Sequence, residues 1–361
     1  MTNRLRLLLG LLLATVLLPT ARPSLRAVPR DASGFVTEMM TRLRVPGMQA
    51  AVAIDGRLVW SSGFGKADLE QDVAVTTATK FRIGSVSKTV TAAAIGRLVD
   101  AGVLELDAPV SRYVPSVRAE GLTVRYVAGH LSGIRNYRGA EFLNRTTYAS
   151  VDDALAVFIT DPLLSRPGEK FAYSSYNYTI LSAVIEKVTR KSFLEAMDAL
   201  VVTPLHLVST LADVGSAIVP NRARWYELQD GRPTNAPFVD NSNKWAAGGY
   251  LSTSEDLVKL GSSMASPGFL KAGTLAQLLG RQRTTDGSPV QYGIGWRTDP
   301  QGGPQVWHGG EAMGARAFLF VDPPSRSVVA ITCNLGGAEF AEQDARELLE
   351  IVRRTSIRGK E

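Results

Sequence analysis

Ser85 and Lys88 stand three residues apart in the run Phe81-Arg82-Ile83-Gly84-Ser85-Val86-Ser87-Lys88-Thr89. At a helix start that spacing puts both side chains on one face, so the lysine amine can approach the serine hydroxyl. A serine hydroxyl is a weak nucleophile until a neighbouring base takes its proton, and a lysine desolvated in a pocket is neutral enough to assist. The backbone N–H of Ser85 would point outward at the helix N-terminus, a place that favours developing negative charge. Nucleophilic attack on a carbonyl is the chemistry such a pair could perform. A capping serine followed by a solvated lysine is the competing reading, since a pattern this short arises by chance on the order of once in a chain of this size.

Other chemistries lose support by absence. The three histidines, His130, His206 and His308, show no His-Glu-x-x-His and no paired spacing with cysteine, which argues against a zinc hydrolase and leaves no metal ligands to name. No serine is framed as Gly-x-Ser-x-Gly, and neither a phosphate-binding Gly-x4-Gly-Lys-Ser/Thr loop nor a Gly-x-Gly-x-x-Gly fingerprint occurs. The one cysteine, Cys333, lies in the apolar run 327–335 and reads as a small hydrophobe in a buried strand, with no internal disulfide to form. No metal or organic cofactor is called for.

The elements that must hold the pair follow from periodicity. Phe35, Met39, Met40 and Leu43 give helical spacing over 31–44, stopped by Pro46-Gly47. A strand at 48–54, the Asp55-Gly56 pair suited to a type I′ turn, and a strand at 57–65 predict a hairpin. A helix over 85–101 carries Val86, Val90, Ala93, Ala94 and Leu98 on one side. The middle, 105–250, mixes helical patterns with Pro and Gly turns. Strands return at 292–296, 315–321 and 327–334, and an amphipathic helix over 338–353 closes the chain. The fold expected is α+β, an α/β/α sandwich: an antiparallel sheet built from both chain ends, flanked by terminal helices, with an inserted mostly helical lobe.

The segments around these elements resemble the serine β-lactamase and penicillin-binding protein superfamily, in its class C-like branch. Besides residues 81–102, the stretches LELDAPVSRYVP (104–115), HLSGI (130–134), RPGEKFAYSSYNYTILSAVIEKVT (166–189), AAGGYLSTSEDL (246–257), YGIGW (292–296) and HGGEAMG (308–314) follow that branch in order. The pairing of Tyr-Ser-Ser with HLSGI and a His-Gly-Gly third motif is similar to the mitochondrial β-lactamase-like proteins and their bacterial relatives. The resemblance implies Ser85 as nucleophile, with Lys88 and Tyr173 sharing the proton transfers. Tyr176 competes with Tyr173, but the lead-in through Pro167, Gly168 and Phe171 favours Tyr173. Ser175 stands where the family usually has the Asn that orients substrate, and a hydroxyl lacks the paired donor and acceptor of an amide. His308, Gly309 and Gly310 occupy the third motif, and the next N–H, of Glu311, is implied as the second oxyanion donor. An imidazole and a bare glycine replace the ammonium and hydroxyl that grip a substrate carboxylate. If the Glu311 side chain faces the cleft, an acidic group stands there too. This favours an ester or peptide/amide substrate over a β-lactam or a D-Ala-D-Ala peptide. His130 reads as structural. A peptidoglycan- or peptide-binding protein and a membrane assembly protein are the readings outside enzymology.

The chain has 361 residues, 45% hydrophobic and 20% charged, which excludes a disordered chain, and carries a formal +6 from 40 Lys and Arg against 34 Asp and Glu. Arg4 and Arg6 precede the apolar run 7–18, Arg22 and Arg26 follow it, and no acid occurs before Asp31. That order is a secretory signal or an uncleaved N-terminal anchor over 1–27, leaving 28–361 as the hydrolase-like domain with its lobe over 105–250. Periplasmic or secreted placement follows, with membrane association through the N-terminus where the leader stays. Losing the leader takes four arginines and leaves +2, so no concentrated basic face supports a nucleic-acid partner. The partner expected is a small-molecule or peptide substrate.

Overall fold

The computed structural model describes residues 31–358; the arginine-flanked apolar run and the leader it would define lie outside the described residues. In chain order, helix α1 (Ala32–Leu43) precedes strands β1 (Gly47–Ile54), β2 (Arg57–Asp68) and β3 (Val73–Ala74). Helices α2 (Ser87–Asp100), α3 (Tyr176–Thr189) and α4 (Ser254–Ala265) follow. Strands β4 (Arg297–Thr298), β5 (Val306–Ala312), β6 (Ala315–Asp322) and β7 (Ser327–Cys333) lead to helix α5 (Glu342–Arg358).

The seven strands form one antiparallel sheet in the order β3-β2-β1-β7-β6-β5-β4, so the two chain ends meet at its centre through the β1–β7 ladder. Strand alternation then sorts two apolar layers. Met48, Ala50, Val52, Phe318, Phe320, Val329, Ile331 and Cys333 face Phe35, Val36 and Met39 of α1 and Leu348, Leu349 and Val352 of α5. Ala51, Ala53, Leu319, Val321, Val328 and Ala330 belong to the core on the other face, with Leu257, Val258, Leu260 and Met264 of α4 and Val90 and Ile95 of α2. Each large side chain so buried contributes about 1.5–3 kcal/mol. Cys333 is buried in the first layer, where desolvation pushes its thiol up to about 12.

Local signals explain the ends of these elements. Asp31 caps α1 by accepting from the N–H of Gly34 at 2.6 Å, and Arg44 ends it in the left-handed conformation. Asp55 and Gly56 both take positive φ, 54° and 72°, as a type I′ turn demands. Gln49 is a buried polar bracket: its Nε2 donates to the Thr76 carbonyl at 2.7 Å and its Oε1 accepts from the N–H of Ser254, tying β1 to the start of α4.

The structure departs from expectation in three places. Residues 292–296 form a loop, not a strand. Gly293 donates to the Trp296 carbonyl at 2.8 Å, and Gly295 turns at φ 77° against α2, where a Cβ would lie 2.8 Å from the Lys88 carbonyl. The closing helix begins at Glu342 instead of 338, where the Asp344 carboxylate accepts from the N–H of Ala341 at 2.9 Å, and it runs on to Arg358. The lobe over 105–250 contains α3 and short helices such as Val151–Leu155 and Phe193–Met197, but also a hairpin, Tyr226–Gln229 with Arg232–Asn235. Among the described residues no helix is long and apolar enough to cross a membrane.

Candidate active site

Phe81 and Arg82 pair with the strand Tyr250–Ser252, and the chain then makes one tight 3-10 turn, Gly84–Val86, before entering α2. This turn presents Ser85, half-buried, at the head of the helix. It lies against β5, whose edge partner β4 covers only Val306 and Trp307. The approach is close enough to require glycine on both sides. A Cβ on Gly84, itself at φ 49°, would stand 2.4 Å from the Glu311 carbonyl oxygen and 2.7 Å from its nitrogen. One on Gly310 would stand 1.9 Å from the Ile83 oxygen. The peptide of Glu311 is thereby held beside the Ser85 turn.

Lys88, one helical turn on, is fully buried, with Nζ 3.1 Å from Ser85 Oγ, 3.3 Å from Ser175 Oγ and 2.6 Å from the Ala247 carbonyl. Burial, reinforced by the Arg297 guanidinium, holds its pKa well below the ordinary lysine value. Tyr173 lies beside the pair, with its ring centroid 5.0 Å from Lys88 Nζ. Desolvation raises its phenol to about 12, opposed by the Ser85 hydroxyl and by Arg297. Tyr176 is elsewhere: its hydroxyl donates to Glu141 at 2.9 Å and its ring stacks on Phe158 at 4.1 Å. Ser175 heads α3, where its N–H donates to Asn136 Oδ1 at 2.9 Å.

The third motif is split between two environments. The side chain of His308 is buried among rings, with Nδ1 2.7 Å from the Gly309 carbonyl and Nε2 2.9 Å from the Tyr292 hydroxyl. The carbonyl requires the N–H at Nδ1, which leaves Nε2 to accept from Tyr292. Burial, then Lys88, then Arg297 keep this imidazole well below its ordinary pKa, so it is neutral. The Glu311 carboxylate, which would have put an acid in the cleft, is instead engaged by Arg316 at 2.6 Å and the N–H of Gly337 at 2.8 Å. Arg316 sits directly opposite Glu311 in the β5–β6 ladder. His130 packs against Tyr173 at 4.3 Å and accepts at Nδ1 from the N–H of Ser174.

Sequence reasoning missed two cations. Arg297 directly follows the YGIGW segment and lies 5.7 Å from the Tyr173 ring centroid. Lys244, two residues before AAGGYLST, lines with Ser85, Ser175, Gly248 and Glu311 a narrow pocket of about 30 Å³. The segments that contain or adjoin them were legible as motifs, but nothing in their spacing brought these two side chains to the site. Among the described residues no group of three or more His, Cys, Asp or Glu side chains is placed to hold a metal ion.

A serine-bearing turn packed under an open sheet edge, with a buried lysine on its hydroxyl and a tyrosine beside it, is an arrangement of the β-lactamase and penicillin-binding protein fold. The Beta-lactamase family matches residues 32–353, and the chain belongs to it. The human serine beta-lactamase-like protein LACTB, mitochondrial, is 28% identical over 429 aligned residues, covering 88% of this chain and 78% of that one. Protein flp of Staphylococcus aureus (strain MRSA252) is 26% identical over 301, covering 81% and 60%. Among solved structures, the octameric penicillin-binding protein homologue from Pyrococcus abyssi superposes with a TM-score of 0.76 at 25% identity, covering 90% of this chain and 77% of that one.

Proposed function

We propose that this serine hydrolase works through an acyl-enzyme on an ester or amide substrate. Ser85 Oγ attacks the carbonyl as its proton passes to Lys88. The N–H groups of Ser85 and Glu311 hold the oxyanion, and Tyr173 delivers a proton to the leaving group as the carbonyl re-forms. Water then repeats the sequence in reverse and releases the acid. The observation that carries this reading is Lys88: a fully buried amine 3.1 Å from Ser85 Oγ, bonded otherwise to a hydroxyl and a carbonyl, is disposed to be a neutral base.

An ester or peptide substrate is favoured over a β-lactam because the strand grip for a carboxylate is missing. His308 is neutral and turned toward Tyr292, and Gly309 offers no hydroxyl. The arginine-flanked leader supports export to the periplasm or beyond, or an N-terminal anchor. Incubation with p-nitrophenyl butyrate, a chromogenic cephalosporin and a D-Ala-D-Ala peptide, read by intact mass and turnover, tests the reading. An acyl adduct with the ester, lost in Ser85→Ala together with about 10³-fold or more of the rate, is expected. An adduct that persists in Ser85→Ala overturns the nucleophile, and no adduct with any of the three favours a binding protein.

A further inference from the structure

The mechanism above leaves idle one lysine on the wall of its own pocket. Lys244 is buried, yet among the described residues its Nζ donates to a single acceptor, the Phe142 carbonyl at 2.9 Å. Around the ammonium lie the rings of Tyr137 and Phe142, with centroids 5.8 and 5.0 Å away. An ammonium has three donors, so two remain for a ligand. The nearby acids are already engaged. Asp213 is held by Arg82, Arg222 and Asn241, Asp240 by Thr147 and Ser242, and Glu311 by Arg316. Asp240 acts on the ammonium only through space, with no carboxylate among the described residues in ion-pair contact with it, and a buried charge so weakly compensated at a cleft is disposed to take a closer counter-ion from the substrate.

Its position is also fixed relative to the chemistry. Lys244 starts the turn Trp245–Gly248, whose Ala247 carbonyl binds Lys88, and it faces the same pocket as Ser85 and Ser175. Tyr173, the proton donor to the leaving group, is not part of that pocket wall. We place the acyl portion of the substrate against Lys244 on that ground. We propose that Lys244 is the anion-recognition residue of this cleft, and that the substrate is a short-chain ester or amide with a carboxylate on its acyl side. This rests on Ser85 as the nucleophile. The carboxylate is gripped from the lobe, not from strand β5.

A pH dependence accompanies it. Burial, aided by Arg82 and opposed by Asp240, brings Lys244 down to about 8. The other charged or titratable groups around it are Asp213, paired to Arg82, Glu311, paired to Arg316, and Tyr137, whose phenol burial keeps protonated. As pH rises through about 8 the ammonium is lost, and with it the attraction for a carboxylate.

The test compares p-nitrophenyl pentanoate with the p-nitrophenyl half-ester of glutarate, each corrected for spontaneous hydrolysis. The ratio of their kcat/KM values is the readout, so a general loss of activity cancels. The ratio should favour the glutarate ester, fall by about tenfold or more in Lys244→Met, recover partly in Lys244→Arg, and decline in the unaltered protein between about pH 7 and about pH 9.5. A ratio unchanged in Lys244→Met overturns the proposal while leaving the hydrolase intact. Glutarate binding to Ser85→Ala protein, followed by calorimetry, reads the site without turnover. Binding lost on adding Lys244→Met supports it, and no binding to Ser85→Ala overturns it. Turnover of both esters by Ser85→Ala would instead sink the nucleophile assignment on which it stands.

Discussion

Lys88, bonded to the hydroxyl of Ser85, and Tyr173 beside it are moved in opposite directions by one cause. Burial penalises whichever form is charged, so it lowers the amine and raises the phenol, leaving a neutral base beside a neutral acid. Arg297 adds a like charge to the first and a complementary one to the second. Removing it in Arg297→Ala eases protonation of Lys88, so the base becomes available only at higher pH. The acid limb of kcat/KM should move upward in pH, and an unmoved limb would show that the guanidinium is too well solvated to act. Tyr173→Phe should cost about 10²- to 10⁴-fold in kcat. Tyr176→Phe should leave kcat near that of the unaltered protein and cost about 1 kcal/mol of stability through its lost bond to Glu141, measured by urea unfolding.

At the scale of elements, the site is a contact between a turn and a strand edge. Gly84→Ala puts a methyl 2.4 Å from the Glu311 oxygen at a φ that L-residues rarely adopt, so it should displace β5 from Ser85. We expect kcat to fall far more than thermal stability, and equal losses would mean the contact only holds the fold. Gln49→Ala should cost about 2–3 kcal/mol, because the Ser254 N–H and the Thr76 carbonyl lose a buried partner together. The same contrast explains what was legible. Ser85 and Lys88 could be paired from sequence because a helix fixes neighbours three apart, and the hairpin because its turn residues accept positive φ. Glu311 could not be aimed from sequence, since besides Arg316 across a two-residue turn its carboxylate is held by the N–H of Gly337, 26 positions on, which only packing brings near. Residues 292–296 read as a strand from apolar composition, while the glycines that fold them into a loop do so by close approach to other elements. Lys244 comes to the pocket of the serine, and Arg297 to the ring of Tyr173, only through packing of the lobe and the sheet edge.

For the molecule as a whole, a buried ion pair lies beside the pocket. Asp213 accepts from Arg82 at 2.7 Å and from Asn241 at 2.9 Å, and Arg82 also donates to the Met313 carbonyl. Asp213→Ala leaves a guanidinium buried without its partner and should cost about 3–5 kcal/mol in urea unfolding. The exposed pair Arg353–Glu350 should cost less than about 1 kcal/mol when broken. The sheet that carries all of this closes between its two ends, with the Asn334 side chain accepting from the N–H of Gly47 across 287 positions of chain. During synthesis β1 and β2 must therefore wait, with one hairpin edge bare, until β7, the last strand of the sheet, has emerged. Such long-range closure is slow, and an open edge is sticky in the interval. A circular permutant that joins the segments after α5 and before α1 would make the β1–β7 ladder a local contact and should refold faster than the natural order.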